Sequence, residues 1–344
     1  MPRHRIAVIG LGMAVTPHAR SLVDLADRAE VVCAMSPSAA RREAFRSRFS
    51  FPTADSLEAV LHDRSITAAA VLTPPNTHLE ITSRLAAAGK HVLLEKPLEV
   101  STARAGQLVA ACRDAGVTLG VVLQHRFKPA AERLAGILAA GDLGQIVNCS
   151  TSIRLWRPQS YYDDPGRGTR ARDGGGVLLT QGIHTLDLML SLAGPIVEVA
   201  GYATTSPVHR METEDLVCAA VRFAGGAVGV IEATTAAYPG APERIELIGT
   251  RGAATLAGTA LSVHFHDGRR ETVEADASPG GTGADPMAFP HDYHLGVWRD
   301  FLDALDTGRS PRVSGTEALK VHRLIDALLA AEATGSKVRP VAAA

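Results

Sequence analysis

The stretch Arg5-Ile6-Ala7-Val8-Ile9-Gly10-Leu11-Gly12 joins a short apolar strand directly to two glycines. Glycines at such a point let the backbone turn tightly and approach a pyrophosphate at the N-terminus of the next helix. The third glycine of the usual fingerprint is replaced by Val15, so the motif is incomplete. Its place after the first strand predicts a dinucleotide-binding turn with contacts from Gly10, Gly12 and Met13. An ordinary strand-to-helix turn is the alternative.

Short apolar runs alternate with alanine- and charge-rich segments over residues 1–125. The predicted strands are 5–9, 30–35, 68–72, 91–94 and 118–123, and the helices between them include 38–48, 78–88 and 103–115. This alternation predicts βαβ units, and therefore an α/β domain with a doubly wound parallel sheet.

The pattern changes over residues 126–344, where strands follow one another without helices between them. A helix is predicted at 129–139, a strand at 146–155, a polar loop at 157–172, a helix at 178–192, and strands at 197–204, 216–223, 227–233, 243–248 and 253–256. Successive strands imply a mainly antiparallel sheet, and hence an α+β domain. A mobile loop at 277–285 and helices at 292–306 and 315–333 complete the prediction.

The composition is that of a globular chain with two domains. The 344 residues are too many for one small core, and 46% of them are hydrophobic. Because 35 basic groups nearly balance 36 acidic ones, net charge invites neither nucleic acid nor a membrane surface. The first strand begins close to Met1, and no apolar stretch reaches transmembrane length. We therefore expect a soluble cytoplasmic protein.

Cysteine and histidine spacing predicts neither a disulfide framework nor a metal site. The four cysteines, Cys33, Cys112, Cys149 and Cys218, lie far apart without a CxxC pair and are interpreted as small hydrophobes. His291 and His294 belong to a polar-aromatic cluster at 289–294 that is either a lid or the start of a helix. No acidic or cysteine cluster accompanies them, so no metal is expected.

Glu95-Lys96-Pro97 ends an apolar strand about eighty residues after the glycine turn. A hydride-transfer site needs a group that exchanges a proton with the substrate hydroxyl, and a strand-end lysine facing the cofactor cleft can do so. The pKa of such an ammonium falls readily when the group is desolvated. A surface lysine before a turn proline is the alternative.

The end of the second strand bears on the choice of cofactor. NAD-binding folds usually place a carboxylate there for the ribose hydroxyls, whereas this chain has Met35-Ser36-Pro37-Ser38. Ser36 together with Arg41 and Arg42 would accept and neutralise a 2′-phosphate, which favours NADP. The alternative is that both arginines are solvated charges on a helix face.

The segment Thr73-Pro74-Pro75-Asn76-Thr77-His78 follows another strand end. Its prolines stiffen the rim of the ligand crevice, and we expect cofactor contacts from Thr73, Pro74, Asn76 and His78. Capping of the following helix by Thr77 or Asn76 is a structural alternative.

Five motifs in register make the chain resemble the Gfo/Idh/MocA oxidoreductases over nearly its whole length. In chain order they are Gly10-x-Gly12, Thr73-Pro74-Pro75-Asn76-Thr77-His78, Glu95-Lys96-Pro97, Gln124-His125-Arg126-Phe127-x-Pro129 and Gly174-Gly175-Gly176-x5-Gly182-x-His184-x-x-Asp187. The resemblance implies an N-terminal Rossmann domain, a C-terminal domain with a large open sheet, and a nicotinamide cofactor bound between them. It also implies a homodimer or homotetramer formed through the outer face of that sheet.

The resemblance also assigns roles to residues. Lys96 would hydrogen-bond the reacting hydroxyl. The cofactor would be contacted by Glu95, Lys96, Gln124 and Arg126. His184 falls on the family's catalytic histidine. Many relatives carry an aspartate four residues earlier, where this chain has Thr180. A hydroxyl is no base near neutral pH, so proton transfer would rest on Lys96 or on His184, whose ordinary pKa is about 6.5.

Further polar residues are candidates near the substrate. Asp187 follows His184 by three positions, so it would either orient the imidazole or close the helix face towards a loop. The substrate contacts predicted here are Arg154, Tyr161, Arg172, Thr180 and His184, because guanidinium groups suit a carboxylate or several hydroxyls and an aromatic ring stacks on a sugar face. A solvated loop is the alternative for the arginines.

These observations predict an NAD(P)-dependent oxidoreductase that acts on a secondary alcohol or carbonyl of a small molecule. The expected substrate is a sugar, a cyclitol or a related polar compound. A cofactor-binding sensor on the same scaffold remains an alternative because Thr180 replaces the acid. An NAD-dependent glycosidase is a third hypothesis.

Overall fold

A computed structural model describes residues 3–275 and 290–340. The described residues form two compact units. The first contains the residues up to Gln124 together with Pro290–Leu319, and the second contains those from His125 onward together with the residues after Leu319. The sequence placed all of 126–344 in one C-terminal domain, so the assignment of Pro290–Leu319 differs. The predicted mobile loop 277–285 lies outside the described residues.

The first unit is built on a six-stranded parallel sheet in the order β3-β2-β1-β4-β5-β6. Its strands are β1 (His4–Ile9), β2 (Ala29–Met35), β3 (Thr53–Ala54), β4 (Ala68–Val71), β5 (His91–Leu94) and β6 (Leu119–Val121). Its first five helices are α1 (Val15–Asp24), α2 (Ala39–Arg46), α3 (Leu57–His62), α4 (His78–Ala87) and α5 (Thr102–Asp114). Because β4 and most of β1 and β5 are buried, these strands read as continuous apolar runs. The predicted doubly wound fold is confirmed.

Helix α10 (Asp292–Thr307) explains why Pro290–Leu319 belongs to the first unit. It packs against α1 and buries Trp298 and Phe301, which are 0% and 1% exposed. Of the two interpretations of the 289–294 cluster, the helix start fits the described part. Helix α11 (Gly315–Thr334) follows α10.

The second unit is built on an eight-stranded sheet in the order β14-β13-β12-β11-β7-β10-β9-β8. Its strands are β7 (Ile146–Arg154), β8 (Ile196–Thr204), β9 (Leu216–Phe223), β10 (Val228–Thr234), β11 (Arg244–Gly249), β12 (Gly252–Ala257), β13 (Ala260–Phe265) and β14 (Arg270–Val273). Only the pair β7–β10 is parallel within this sheet. The predicted mainly antiparallel sheet is confirmed, and the sequence missed β13 and β14.

Besides the part of α11 after Leu319, the second unit contains the helices α6 (Pro129–Ala139), α7 (Gln159–Tyr162), α8 (Val177–Thr180) and α9 (Ile183–Ala193). Of these, α6, α8 and α9 pack against one face of the sheet. The predicted single helix 178–192 was wrong, because the chain breaks at Gln181 and Gly182. A Cβ at Gly182 would lie 3.1 Å from the Val177 carbonyl oxygen and 3.3 Å from Ile153 Cδ1. The glycine therefore lets α9 begin directly against β7.

Membrane-spanning helices and disulfide bonds were both expected to be absent. Within 3–275 and 290–340, no helix combines the length and the apolar character needed to cross a membrane. The four cysteines are free; three are buried, whereas Cys218 is exposed. Cys218 is exposed because its position on β9 points to the uncovered face of the sheet.

Candidate functional site

The glycine turn after β1 has the geometry of an anion-binding turn. Gly10 has φ of +102°, and a Cβ there would lie 2.8 Å from the Leu72 carbonyl carbon and oxygen, so only glycine fits. A Cβ at Gly12 would meet no described atom within 4 Å. Helix α1 begins after Ala14, without a side-chain cap and without an acidic residue in its first turn. Backbone N–H groups and open space at this turn fit a pyrophosphate.

The end of β2 separates the two arginines that the sequence grouped together. Ser36 is buried, and its hydroxyl accepts a hydrogen bond from the Ser38 N–H at 3.3 Å. Arg42 Nη1 donates to the carbonyl oxygens of Ser36 and Pro37, at 2.6 and 3.1 Å. Arg41 is exposed in the first turn of α2. Arg42 therefore stabilises the loop, and Arg41 is the arginine that a ligand could reach.

His78 connects two strand-end loops. The ring is fully buried, with Nε2 2.8 Å from the Thr73 carbonyl oxygen. Its Nδ1 lies 3.0 Å from the Pro97 carbonyl oxygen and 3.2 Å from that of Leu98. Both ring nitrogens thus face protein carbonyls, which ties the loop after β4 to the loop after β5. The cofactor contact expected of His78 stays a prediction, and the observed role of the ring is structural.

The start of α4 is capped by a residue that the sequence did not suggest. Thr77 occupies the N-cap position, but its side chain forms no capping bond and its hydroxyl donates to the Pro74 carbonyl oxygen at 2.8 Å. The Leu79 N–H donates instead to Glu99 Oε1, at 3.3 Å. The capping alternative for Thr77 or Asn76 was therefore wrong. Asn76 and Pro74 are exposed, and a ligand could reach them.

Glu95 is held on both of its oxygens at the end of β5. His18 Nε2 lies 3.0 Å from Oε1, and the Lys96 N–H donates to Oε2 at 3.0 Å. Burial acts to raise the pKa of Glu95, but the hydrogen bond from His18 and the nearby Lys96 ammonium act the other way, and the pKa is lowered to about 2. The carboxylate is therefore ionised beside the partly exposed Lys96.

Sequence reasoning missed His18 and Trp298 near Glu95, and it placed His294 only in a polar-aromatic cluster. Trp298 Nε1 donates to His18 Nδ1 at 3.1 Å, and both residues are 0% exposed. The His294 ring stands edge-on to His18 with centroids 5.0 Å apart, and burial lowers the pKa of His294 to about 3. No local pattern could have found His18 or Trp298, since His18 lies 77 residues from Glu95 and 280 from Trp298.

His18, Glu95 and His294 form a cluster of possible metal ligands. One ligand atom from each lies within 4.8 Å of the others. However, a histidine that binds a metal through one nitrogen normally donates the other N–H to an acceptor. His18 Nδ1 faces the indole donor of Trp298 instead. This polarity places a proton on Nε2, and the cluster fits a hydrogen-bonded chain better than a metal.

Gln124 offers a buried acceptor at the end of the first unit. The residue is 8% exposed, and its Oε1 has no hydrogen-bond partner among the described residues. Leaving a buried acceptor unmatched costs about 1–3 kcal/mol, so such atoms are often satisfied by a ligand. This amide oxygen would suit an N–H donor of a cofactor.

In the second unit, α9 positions His184 beside His125. His184 is 9% exposed, and the two imidazole centroids are 4.9 Å apart with ring planes tilted by 32°. His125 Nδ1 lies 3.4 Å from Thr185 Oγ1 and 3.6 Å from Glu243 Oε2. The histidine expected from the sequence therefore belongs to a compact polar cluster. His125 and Glu243 were not among the predicted site residues.

Asp187 and Arg126 form a two-point ion pair. Arg126 Nε donates to Oδ2 at 2.7 Å and Nη2 donates to Oδ1 at 2.6 Å, with Asp187 1% exposed. Of the two roles weighed for Asp187, closure of the helix face towards a loop fits this geometry. The cofactor contact expected of Arg126 stays a prediction, since two of its donors are bound to Asp187.

Thr180 belongs to a different helix from His184. Its hydroxyl donates towards the Gly176 carbonyl oxygen at 2.7 Å and also contacts the Gln181 side-chain oxygen. These local bonds are typical of a helix-end hydroxyl, and they favour a structural role.

Arg154 does not face the helix that carries His184. On β7, Ile153 points towards α9 while Arg154 points to the opposite face, where it donates to both Glu232 carboxylate oxygens at 2.9 and 2.7 Å. Its prediction as a substrate contact is corrected here, because strand alternation places it on the uncovered face.

The other two predicted loop contacts are engaged within the loop itself. Arg172 Nη1 donates to the Pro165 carbonyl oxygen at 2.7 Å. The Arg167 guanidinium lies 4.1 Å from the centroid of the Tyr161 ring. Substrate contacts of Tyr161 and Arg172 stay predictions.

Comparison with known proteins finds family models that match a range in each of the two units. Residues 4–123 match a family model described as an oxidoreductase family with an NAD-binding Rossmann fold, and residues 131–255 match the GFO/IDH/MocA C-terminal domain. A D-xylose 1-dehydrogenase (NADP(+)) of Haloferax volcanii is 27% identical, with 90% of this chain and 91% of that protein covered. A scyllo-inositol 2-dehydrogenase (NAD(+)) of Bacillus subtilis is 27% identical over 91% of this chain and 90% of its own.

A solved structure agrees with these relatives. The WlbA dehydrogenase of Bordetella pertussis, in complex with NADH and UDP-GlcNAcA, superposes with a TM-score of 0.84. It is 27% identical to this chain, and both chains are covered over 100% of their length.

Proposed function

We propose, since the chain belongs to the Gfo/Idh/MocA family of NAD(P)-dependent oxidoreductases, that it interconverts a secondary alcohol and a carbonyl on a sugar or cyclitol. The observation that carries the proposal is the lysine at the end of β5 beside an ionised carboxylate. The relatives named for xylose and scyllo-inositol support a polyhydroxylated substrate.

The first unit supplies the residues that would hold the cofactor. Gly10, Gly12 and Met13 would receive the pyrophosphate at the start of α1, because this turn leaves space and backbone donors. Thr73, Pro74 and Asn76 would line the neighbouring strand end, and Gln124 Oε1 would accept a hydrogen bond. When bound, the nicotinamide supplies the hydride chemistry that the side chains lack.

The proposed preference is for NADP. Ser36 leaves the end of β2 without a carboxylate, so a 2′-phosphate meets no repulsion there. Arg41 is exposed in the first turn of α2 and would donate hydrogen bonds to that phosphate. Arg41 is preferred over Arg42 for this role, because Arg42 Nη1 is bound to two backbone carbonyls.

Proton handling is proposed for Lys96 and His184. The Lys96 ammonium would hydrogen-bond the substrate hydroxyl, while Glu95 balances its charge and accepts its backbone N–H. His184 would take or give the proton through its ring, because a neutral imidazole is the more effective base near neutral pH. Thr180 plays no part in this step, since its hydroxyl is bound within its own helix.

The uncovered face of the second sheet is proposed as the contact between copies of the chain. Its exposed apolar residues are Tyr202, Val228, Val230 and Ile248. Burying such a patch against a second copy would remove apolar surface from water. A homodimer or homotetramer is therefore expected in light scattering, and Val230→Glu should shift the protein towards the monomer.

A cofactor and substrate screen tests the proposed function. NAD⁺ and NADP⁺ are each mixed with the purified protein and D-xylose, myo-inositol or scyllo-inositol, and absorbance at the nicotinamide band is followed. We expect turnover with at least one polyol. Tight cofactor binding without turnover of any of these compounds, or of their oxidised carbonyl forms with NADH and NADPH, would favour the sensor instead.

A further inference from the structure

A buried chain of hydrogen bonds runs from α10 to the backbone of Lys96. Trp298 Nε1 is 3.1 Å from His18 Nδ1, His18 Nε2 is 3.0 Å from Glu95 Oε1, and the Lys96 nitrogen is 3.0 Å from Glu95 Oε2. We propose that Trp298 and His18 are positioning residues for Lys96. This inference rests on the proposed role of Lys96 in proton handling.

The donors and acceptors of this chain allow only one direction. An indole N–H can donate but cannot accept, so His18 Nδ1 must be the acceptor. The proton of the neutral ring then lies on Nε2, which donates to Glu95. The second carboxylate oxygen is left to accept the Lys96 N–H. The indole of Trp298 therefore fixes the tautomer of His18, and the tautomer orients the carboxylate.

Burial makes these bonds difficult to replace. Trp298 and His18 are 0% exposed and Glu95 is 9% exposed, so water is excluded from most of the chain. In such surroundings each bond is stronger than in water, and a lost partner leaves an unsatisfied polar group. The position of Lys96 thus depends on the packing of α10 against α1.

The other side of Lys96 is held by a separate histidine. His78 Nδ1 lies 3.0 Å from the Pro97 carbonyl oxygen, and the ring is itself fully buried. The backbone on both sides of Lys96 is therefore fixed by buried imidazoles. The backbone position from which the flexible lysine side chain extends is thereby fixed. Accurate placement of a reacting group increases the reaction rate by a large factor.

Trp298→Phe tests the proposal, because it removes the indole N–H and keeps an aromatic ring. The matched control is Phe301→Leu, which alters another buried aromatic residue of α10 that donates no hydrogen bond. His18→Gln is the conservative variant, since one amide can accept from Trp298 and donate to Glu95. His18→Leu removes both functions.

The expected kinetic result is a loss of kcat without a matching change in KM. We expect Trp298→Phe and His18→Leu to lower kcat by roughly ten- to a hundredfold, the scale for a slightly misplaced catalytic group, with NADPH affinity and substrate KM within about threefold. His18→Gln should recover most of kcat, and Phe301→Leu should lower only thermal stability. Equal kcat in Trp298→Phe and wild type would overturn the proposal.

Two measurements on the cofactor-free protein need no turnover. Imidazole ¹⁵N spectra, with the His18 signal assigned through His18→Gln, should give the tautomer protonated at Nε2. Hydrogen exchange of the Lys96 amide should be faster in Trp298→Phe than in wild type or Phe301→Leu. An Nδ1-protonated His18, or unchanged exchange, would overturn the proposal even if the enzyme is active. Absence of turnover in the wild type would instead contradict the proposed function.

Discussion

Arg126 binds both carboxylate oxygens of Asp187, at 2.7 and 2.6 Å, and so joins the segment before α6 to α9. The Asp187 side chain is 1% exposed and that of Arg126 is 11% exposed. Removing one partner of such a pair leaves a buried charge without compensation, which typically costs about 3–5 kcal/mol.

We therefore expect Arg126→Met to lower the free energy of unfolding by several kcal/mol in urea titrations. The double variant Arg126→Met with Asp187→Leu should recover much of that loss, because it removes both charges. If the urea concentration at the unfolding midpoint is the same for Arg126→Met and wild type, the pair contributes little to the stability of the second unit.

The ionised Glu95 predicts an acid-sensitive contribution to stability. Its pKa falls from an ordinary value of 4.5 to about 2 in the folded protein. A lowered pKa stabilises the folded state above the unfolded pKa, and this contribution is lost as pH falls from about 4.5 to about 2. Glu95→Gln should remove up to about 3 kcal/mol of the change in the free energy of unfolding over that pH range. Parallel stability curves for wild type and Glu95→Gln would contradict the assignment.

Cofactor preference is expected to depend on Arg41. Arg41→Ala should weaken NADPH binding about ten- to a hundredfold and leave NADH nearly unchanged, because a charge-assisted hydrogen bond contributes roughly 1.5–3 kcal/mol. Arg46→Ala is the matched control, since Arg46 is exposed on the same helix and pairs with Glu43. Ser36→Asp should move the preference towards NAD. Equal weakening of both cofactors by Arg41→Ala would remove the NADP preference.

Thr180 and His184, which lie on either side of the break between α8 and α9, should differ in their effect on turnover. Thr180→Ala should cost little, because the hydroxyl serves bonds within its own helix. His184→Ala should lower kcat by about 10²-fold or more, the usual effect of losing an acid–base group. Steady-state kinetics of both variants, with cofactor saturating, checks this ranking, and the reverse ranking would contradict it.

Local patterns predicted most of the fold. β5 and α6 begin and end where the apolar runs and the proline at position 129 indicated, since each element is specified by its own residues. The break within 178–192 was not predicted, and the close approach of Gly182 to Ile153 at the start of α9 is a tertiary contact that no local pattern marks. The edge strand β14 and its neighbour β13 were also missed.

The site was only partly predictable for the same physical reason. Glu95 and Lys96 adjoin in sequence, so a motif identified them. His18 on α1 bonds Glu95 across 77 positions of the chain, and Trp298 bonds His18 only when α10 packs on α1, so nothing local marks either residue. Arg154 was misassigned because its pairing with Glu232 depends on which face of β7 is covered.

Replacement of Lys96 tests the central claim most directly. Lys96→Met keeps most of the stem and removes the ammonium that would hydrogen-bond the substrate hydroxyl. We measure kcat by nicotinamide absorbance with a substrate found in the polyol screen, and NAD(P)H affinity by fluorescence titration. The account predicts turnover below detection with cofactor affinity within a few-fold of wild type. Wild-type turnover in Lys96→Met would contradict it, because the proton would then be handled elsewhere.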